Sequence, residues 1–154
     1  MKIIDREKKY LDFKKKYLWK KCDSDWAYWY QCVDLSKIYA KEVYWENLGS
    51  FWWSAYNGYL NEHKTFNITK WKKVEYKPWT IFIAWDIFFY WPTPSNKYWH
   101  TWIIAVGGTI DKCILLEQNY VSERSPDFGK GVNNASITQR SRDYKWIVWV
   151  WRLI

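Results

Sequence analysis

A chain of 154 residues is long enough for one domain with a sizeable core, and 49% hydrophobic with 26% charged residues excludes a disordered polymer. The net charge of +8 favours acidic partners such as nucleic acid, anionic lipid or an anionic wall polymer, and says nothing about fold. No run nears the ~18 apolar residues of a membrane span, and MKIIDREKKY lacks the apolar stretch of a signal peptide, so neither is expected.

Residues 1–21 carry a basic amphipathic helix, predicted over 3–21. Ile3/Ile4, Tyr10/Leu11 and Tyr17/Leu18 recur every seven residues, with lysines between. Lys8, Lys9, Lys14, Lys15, Lys16, Lys20 and Lys21 make either a solvated helix face or a basic binding patch. Residues 22–154 form the remaining unit. They begin with a polar and aromatic loop over 22–31. A second helix is predicted over 32–44, with Leu35, Ile38, Tyr39 and Val43 on one side, and Gly49 and Ser50 break it. A short third helix is predicted over 54–62. Residues 63–77 read as polar and irregular, with His63 as an exposed loop histidine.

After Pro78 the pattern changes. Ile81–Ile83, Ile87–Tyr90, Thr101–Val106, Cys113–Gln118 and Ile147–Leu153 are short runs rich in β-branched and aromatic residues, separated by turn signals such as PTPSN and GGT. Residues 122–143 read as a long loop or irregular hairpin. Helices first and strands after, without βαβ alternation, predict an α+β domain with helices packed on an antiparallel sheet. The glycosylation-type sequons at Asn67 and Asn134 carry no weight.

Three cysteines at irregular spacing are not a disulfide framework, and two histidines without C-x-x-C are not a structural zinc site. Cys32, at the predicted start of the second helix, is the candidate nucleophile. A helix N-terminus and a neighbouring imidazole both lower a thiol pKa. His100 heads a predicted strand, and Glu117 and Asn119 close the next one. A hairpin of the two strands brings His100 beside Glu117, and a carboxylate or amide there fixes the imidazole's tautomer and orientation. Cys113 is expected in the core, and Cys22 has no evident partner.

QCVDL at a helix start, then YWHTWIIAV, then LLEQN, resembles CHAP domains, the papain-like cysteine amidases and endopeptidases of peptidoglycan found in phage endolysins and bacterial autolysins. The resemblance runs from about Asp23 to the C-terminus. It implies Cys32 as nucleophile, His100 as general base, Glu117 and Asn119 as orienting residues, and an oxyanion site at the Cys32 N–H with Gln31 in support. The implied substrate is peptidoglycan, met at the cell wall by a monomer, either phage-encoded or exported. The other reading left open is a non-catalytic, basic, aromatic-rich module that binds glycan or wall polymer. No RNA-binding signature is present, so nucleic acid is not the expected partner.

The loop before Cys32 suggests calcium. Counting Asp23 as position 1, Asp25 is 3, Ala27 is 5, Trp29 is 7 and Asp34 is 12, which is EF-hand ligand spacing. It departs from that pattern at position 12, which is Asp rather than Glu, and at position 6, which is Tyr28 rather than Gly. Some CHAP endolysins carry such a site ahead of the cysteine.

The composition has one further oddity, 15 tryptophans against 6 glycines. Many tryptophans stand where turns or the family pattern ask for glycine, among them Trp26, Trp29, Trp52, Trp53, Trp85, Trp91, Trp99 and Trp102. Either the source reads UGA as glycine, or the protein has an aromatic-rich surface, for instance for stacking on sugars.

Overall fold

The computed structural model describes residues 3–24, 32–49, 55–60, 62–75, 77, 79–80, 82–83, 86–90, 100–106, 112–118, 137–143 and 147–154. The helices are α1 (Ile3–Tyr17), α2 (Cys32–Tyr44), α3 (Ala55–Leu60) and α4 (Glu62–Thr65). The strands are β1 (Trp71–Glu75), β2 (Ile87–Tyr90), β3 (His100–Val106), β4 (Lys112–Glu117), β5 (Thr138–Asp143) and β6 (Ile147–Leu153). They form one sheet in the order β1-β6-β2-β3-β4-β5, every pair antiparallel. The expected α+β architecture is the one found.

Side-chain alternation divides the sheet into two apolar faces. On one, Ile87, Phe89, Ile103, Leu116 and Trp151 pack with Leu35, Tyr39, Ala40 and Val43 of α2. On the other, Phe88, Cys113, Leu115 and Val150 pack with Phe82. Cys113 is a core residue, as expected. The apolar side of α1 joins the first of these cores, where Phe13 meets Tyr39 edge-on with ring centroids 5.0 Å apart. Lys9 Nζ donates to Val43 O at the C-terminal end of α2, where cations suit the helix dipole. Phe66 stacks on Trp151 at 4.5 Å and meets Trp71 edge-on at 5.4 Å, closing the core beneath β1 and β6.

The structure differs from the sequence reading in four places. Residues 63–77 are not irregular: His63 lies in α4, and WKKVE is the edge strand β1, whose lysines hide its period but suit an edge. Phe82 and Ile83 lie outside any strand. Asp86 N–H donates to Ile83 O at 3.2 Å and Asp86 Oδ2 accepts from Ile83 N–H at 3.0 Å, so a turn uses the groups a ladder needs. Helix α1 stops at Tyr17 rather than at residue 21, because Trp19 takes a left-handed φ of 68°. Residues 138–143, at the end of the supposed loop or hairpin, form β5 on β4.

Asp86 is 1% exposed and gripped by a fork from Arg152, with Nε at 2.9 Å and a terminal nitrogen at 2.7 Å. Burial pushes its carboxyl up and Arg152 pulls it back. Arg152→Leu should cost on the order of 3 kcal/mol at pH 7, the low end for a broken buried pair because the arginine is partly exposed. In that variant the carboxyl rises further above its unfolded value. Its protonated form then supports folding at low pH and is lost as pH rises. The deficit, read from urea midpoints, should therefore shrink from pH 7 to pH 5, and a deficit that grows on acidification contradicts this account.

Candidate active site

Cys32 is the first residue of α2 and 8% exposed, with its sulfur against β3. The main-chain N–H groups of Thr101 and Val33 lie toward the sulfur and favour its thiolate form. One helical turn on, Ser36 Oγ lies 3.1 Å from Thr101 Oγ1, and both hydroxyls are fully buried. Thr101 therefore meets α2 twice, by side chain at Ser36 and by main chain beside the Cys32 sulfur. The residue before it is His100, the first of β3, 6% exposed.

Strands β3 and β4 pair Ile103 with Leu116 and Ile104 with Leu115. Continuing that register by one pair sets Glu117 diagonal to His100, within reach of a long side chain. His100 Nε2 lies 3.9 Å from Glu117 Oε2, and the Glu117 side chain is fully buried. The strands thus set Glu117 beside His100, while the next residue, Thr101, meets α2 at Ser36. Asn119 and Gln31 lie outside the described residues.

The thiol differs from expectation. Burial pushes Cys32 from 9.0 up to about 12, the Thr101 N–H pulls it back, Asp34 pushes it up, and the Val33 and Cys32 N–H groups pull it back again. Desolvation outweighs the helix N-terminus, so the resting sulfur is a protonated thiol. Cys22 behaves likewise, pushed up to about 12 chiefly by burial.

Ser24 is tied to the first turn of α2. Asp34, 1% exposed, accepts at Oδ1 from Ser24 Oγ at 2.6 Å and from Ser24 N–H at 3.2 Å. This draws Asp23 and Asp34, positions 1 and 12 of the candidate calcium loop, toward the same end of α2. Among the described residues no group of three His, Cys, Asp or Glu gathers for a metal; Asp25, Ala27 and Trp29 lie outside them. A groove beside Asp23 and Ser24 is lined by Lys37, Lys41 and Glu42 and does not include Cys32 or His100.

Gln118 was missed from the sequence. Its Oε1 accepts from Cys22 N–H at 2.7 Å and its Nε2 donates to Cys22 O at 2.6 Å, so the amide completes a peptide-like pairing in the interior. The signal was available: a polar residue two after Leu116, on the face opposite Glu117, points toward the helices and needs buried partners.

No family model matches the chain, and no curated protein matches it. Among solved structures, the wild-type endolysin LysIME-EF1 is similar at 17% identity with a TM-score of 0.70, over 95% of this chain and 63% of that one. Ly7917 is similar at 16% identity with a TM-score of 0.63, over 96% and 62%. Ly7917 with the hydrolyzing product of MDP is similar at 17% and 0.63, over 96% and 62%. The chain thus spans less than two thirds of the length of each. At these identities the likeness establishes the fold: a single α+β domain with helices on an antiparallel sheet.

Thiolate is the form that alkylates, and its fraction rises tenfold per pH unit below the pKa. Iodoacetamide modification of Cys32, followed by peptide mass, should therefore climb about tenfold per unit from pH 7 to 9. A rate already level at pH 7 would mean a depressed pKa instead.

Proposed function

We propose that this protein is a peptidoglycan hydrolase that cleaves an amide bond with Cys32 as nucleophile. The observation that carries the reading is the placement of Cys32 at a helix start, its sulfur against the Thr101 main chain, with His100 the preceding residue and 3.9 Å from buried Glu117. The fold, shared over 95% of the chain with a protein described as an endolysin, supports it.

Because the resting sulfur is protonated, attack and proton removal belong to one step. His100 takes the thiol proton as sulfur bonds to the substrate carbonyl carbon. The oxyanion is met by the Cys32 N–H, with Gln31 in support. His100 passes the proton to the departing amine, and the C–N bond breaks to leave a thioester. Water, deprotonated by His100, then releases the acid and restores the thiol. Glu117 and Asn119 orient the imidazole. The same residues serve cleavage at the N-acetylmuramoyl-L-alanine bond or within the peptide and its cross-bridge. The basic surface suits an anionic wall polymer.

Calcium is part of the proposal as a brace. Asp23, Asp25 and Asp34 with the Ala27 and Trp29 carbonyls would hold it, and it would supply cross-linking charge rather than bond-making chemistry. The Ser24–Asp34 bonds support this, since they draw the two ends of the ligand run together.

A second reading draws on the thiol at about 12: a non-catalytic, basic module that binds glycan. Cys32→Ala separates the two. Hydrolysis predicts that the variant releases at least a thousandfold less free amine from purified peptidoglycan while still sedimenting with it. Undiminished release by the variant sinks Cys32 catalysis, and no release by the parent protein favours the binding module.

If calcium binds, a concentration near 100 times its dissociation constant should add about 2.7 kcal/mol to stability. Titration calorimetry and melting with and without EDTA test this. No heat of binding and no shift in melting remove the metal and leave the cysteine chemistry standing.

A further inference from the structure

Among the described residues, two that are not glycine take a left-handed φ, Trp19 at 68° and Trp45 at 61°. In this region the Cβ of an L-residue crowds the backbone, and bulky residues there are outliers. Tryptophan is 15 of 154 residues, yet it fills both positions. Both side chains are exposed, Trp19 at 69% and Trp45 at 81%. Lys9 Nζ lies 5.7 Å from the Trp45 ring centroid, a surface contact that does not require the left-handed backbone.

Both positions do a glycine's work. Trp45 follows the last residue of α2. Its N–H bonds Lys41 O at 3.1 Å, and Glu46 N–H turns back to Ala40 O at 3.1 Å. That is the left-handed cap that glycine most often supplies. Trp19 lies just beyond α1, and its N–H bonds Ile137 O at 2.9 Å while Lys20 O accepts from Ile137 N–H at 2.7 Å. The left-handed turn aims both groups at one partner residue.

Other tryptophans behave as tryptophan should. Trp71 and Trp151 are 2% and 4% exposed and pack on Phe66. A glycine the sequence does spell shows that this fold uses the residue where space demands it. A Cβ on Gly49 would lie 1.9 Å from Lys64 O.

We infer that positions 19 and 45 are glycine in the protein as its own cell makes it. They are encoded by UGA, a codon that some cells read as tryptophan and this cell reads as glycine, while Trp71 and Trp151 are encoded by UGG. This is independent of the hydrolase reading, since neither position belongs to the site.

The deciding experiment is peptide mass spectrometry of protein isolated from its native cells, with the codons read from the same gene. Glycine at 19 and 45, with tryptophan at 71 and 151, is the expected result; tryptophan at 19 or 45 overturns the inference. A second measurement uses recombinant protein carrying the tryptophans. W19G and W45G each relieve left-handed strain, partly offset by the freer unfolded chain, and should lower the unfolding equilibrium constant about threefold. W71G, which empties a core position, should raise it by more than a hundredfold. Destabilisation by both W19G and W45G contradicts the structural argument.

Discussion

The site depends on how the first turn of α2 is held against β3. A helix resting only on apolar side chains can slide or rotate by a fraction of a turn at modest cost. The Ser36–Thr101 pair removes that freedom, because two fully buried hydroxyls lose their partner if the register changes. The Thr101 main-chain N–H also lies toward the Cys32 sulfur. One residue thus fixes both the helix and the thiol, and the histidine precedes it on the same strand. Fixing the sulfur this way requires burying it, and burial is what keeps it protonated. The position of the sulfur and its raised pKa arise from one packing arrangement.

The loop entering α2 follows the same logic. Strand alternation sends Glu117 to one face of the sheet and Gln118 to the other. Gln118 takes both main-chain groups of Cys22, and two residues later Ser24 binds Asp34. A short path of polar contacts, buried at Gln118 and part-buried at Ser24, therefore runs from the end of β4 through residues 22–24 to the helix that carries Cys32. Removing either end leaves buried groups without partners, which costs more than the net worth of the bonds themselves. A cation between Asp23 and Asp34 would reinforce this path, since the hydrogen bonds already set its course.

The parts of the structure written in local periodicity were legible. Helix α2 runs over the residues its 3.6-residue pattern marks, Cys32–Tyr44, and β2, β3, β4 and β6 match runs of β-branched and aromatic residues. The meeting of His100 with Glu117 follows from pairing two adjacent strands. What stayed hidden depends on tertiary partners. WKKVE reads as polar until β6 pairs with it. Phe82 and Ile83 look like strand until Asp86 takes the Ile83 N–H. The thiol's pKa reversed because burial depth, which the sequence does not spell, outweighed the helix position, which it does. Gln31, Asn119 and three of the calcium candidates lie outside the described residues; Cys32, His100, Glu117, Asp23 and Asp34 lie within them.

The two ends of α2 carry different demands. Its N-terminal turn is set by Thr101, Ser36 and Asp34, and Leu35, Tyr39 and Val43 lock the middle of the helix into the core. The left-handed residue at its C-terminal end acts only after those anchors have fixed the axis. Strain at position 45 therefore lowers the stability of the last turn and leaves the position of Cys32 unchanged. Position 19 has a similar local reach, ending α1 and pairing with Ile137. A chain carrying tryptophan at both places can thus keep the sheet, the core and the Cys32–Thr101 contact while being less stable than one carrying glycine. Strained caps around an intact core are what a residue misassigned at surface turns produces, because turns alone depend on the backbone freedom that glycine has and tryptophan lacks.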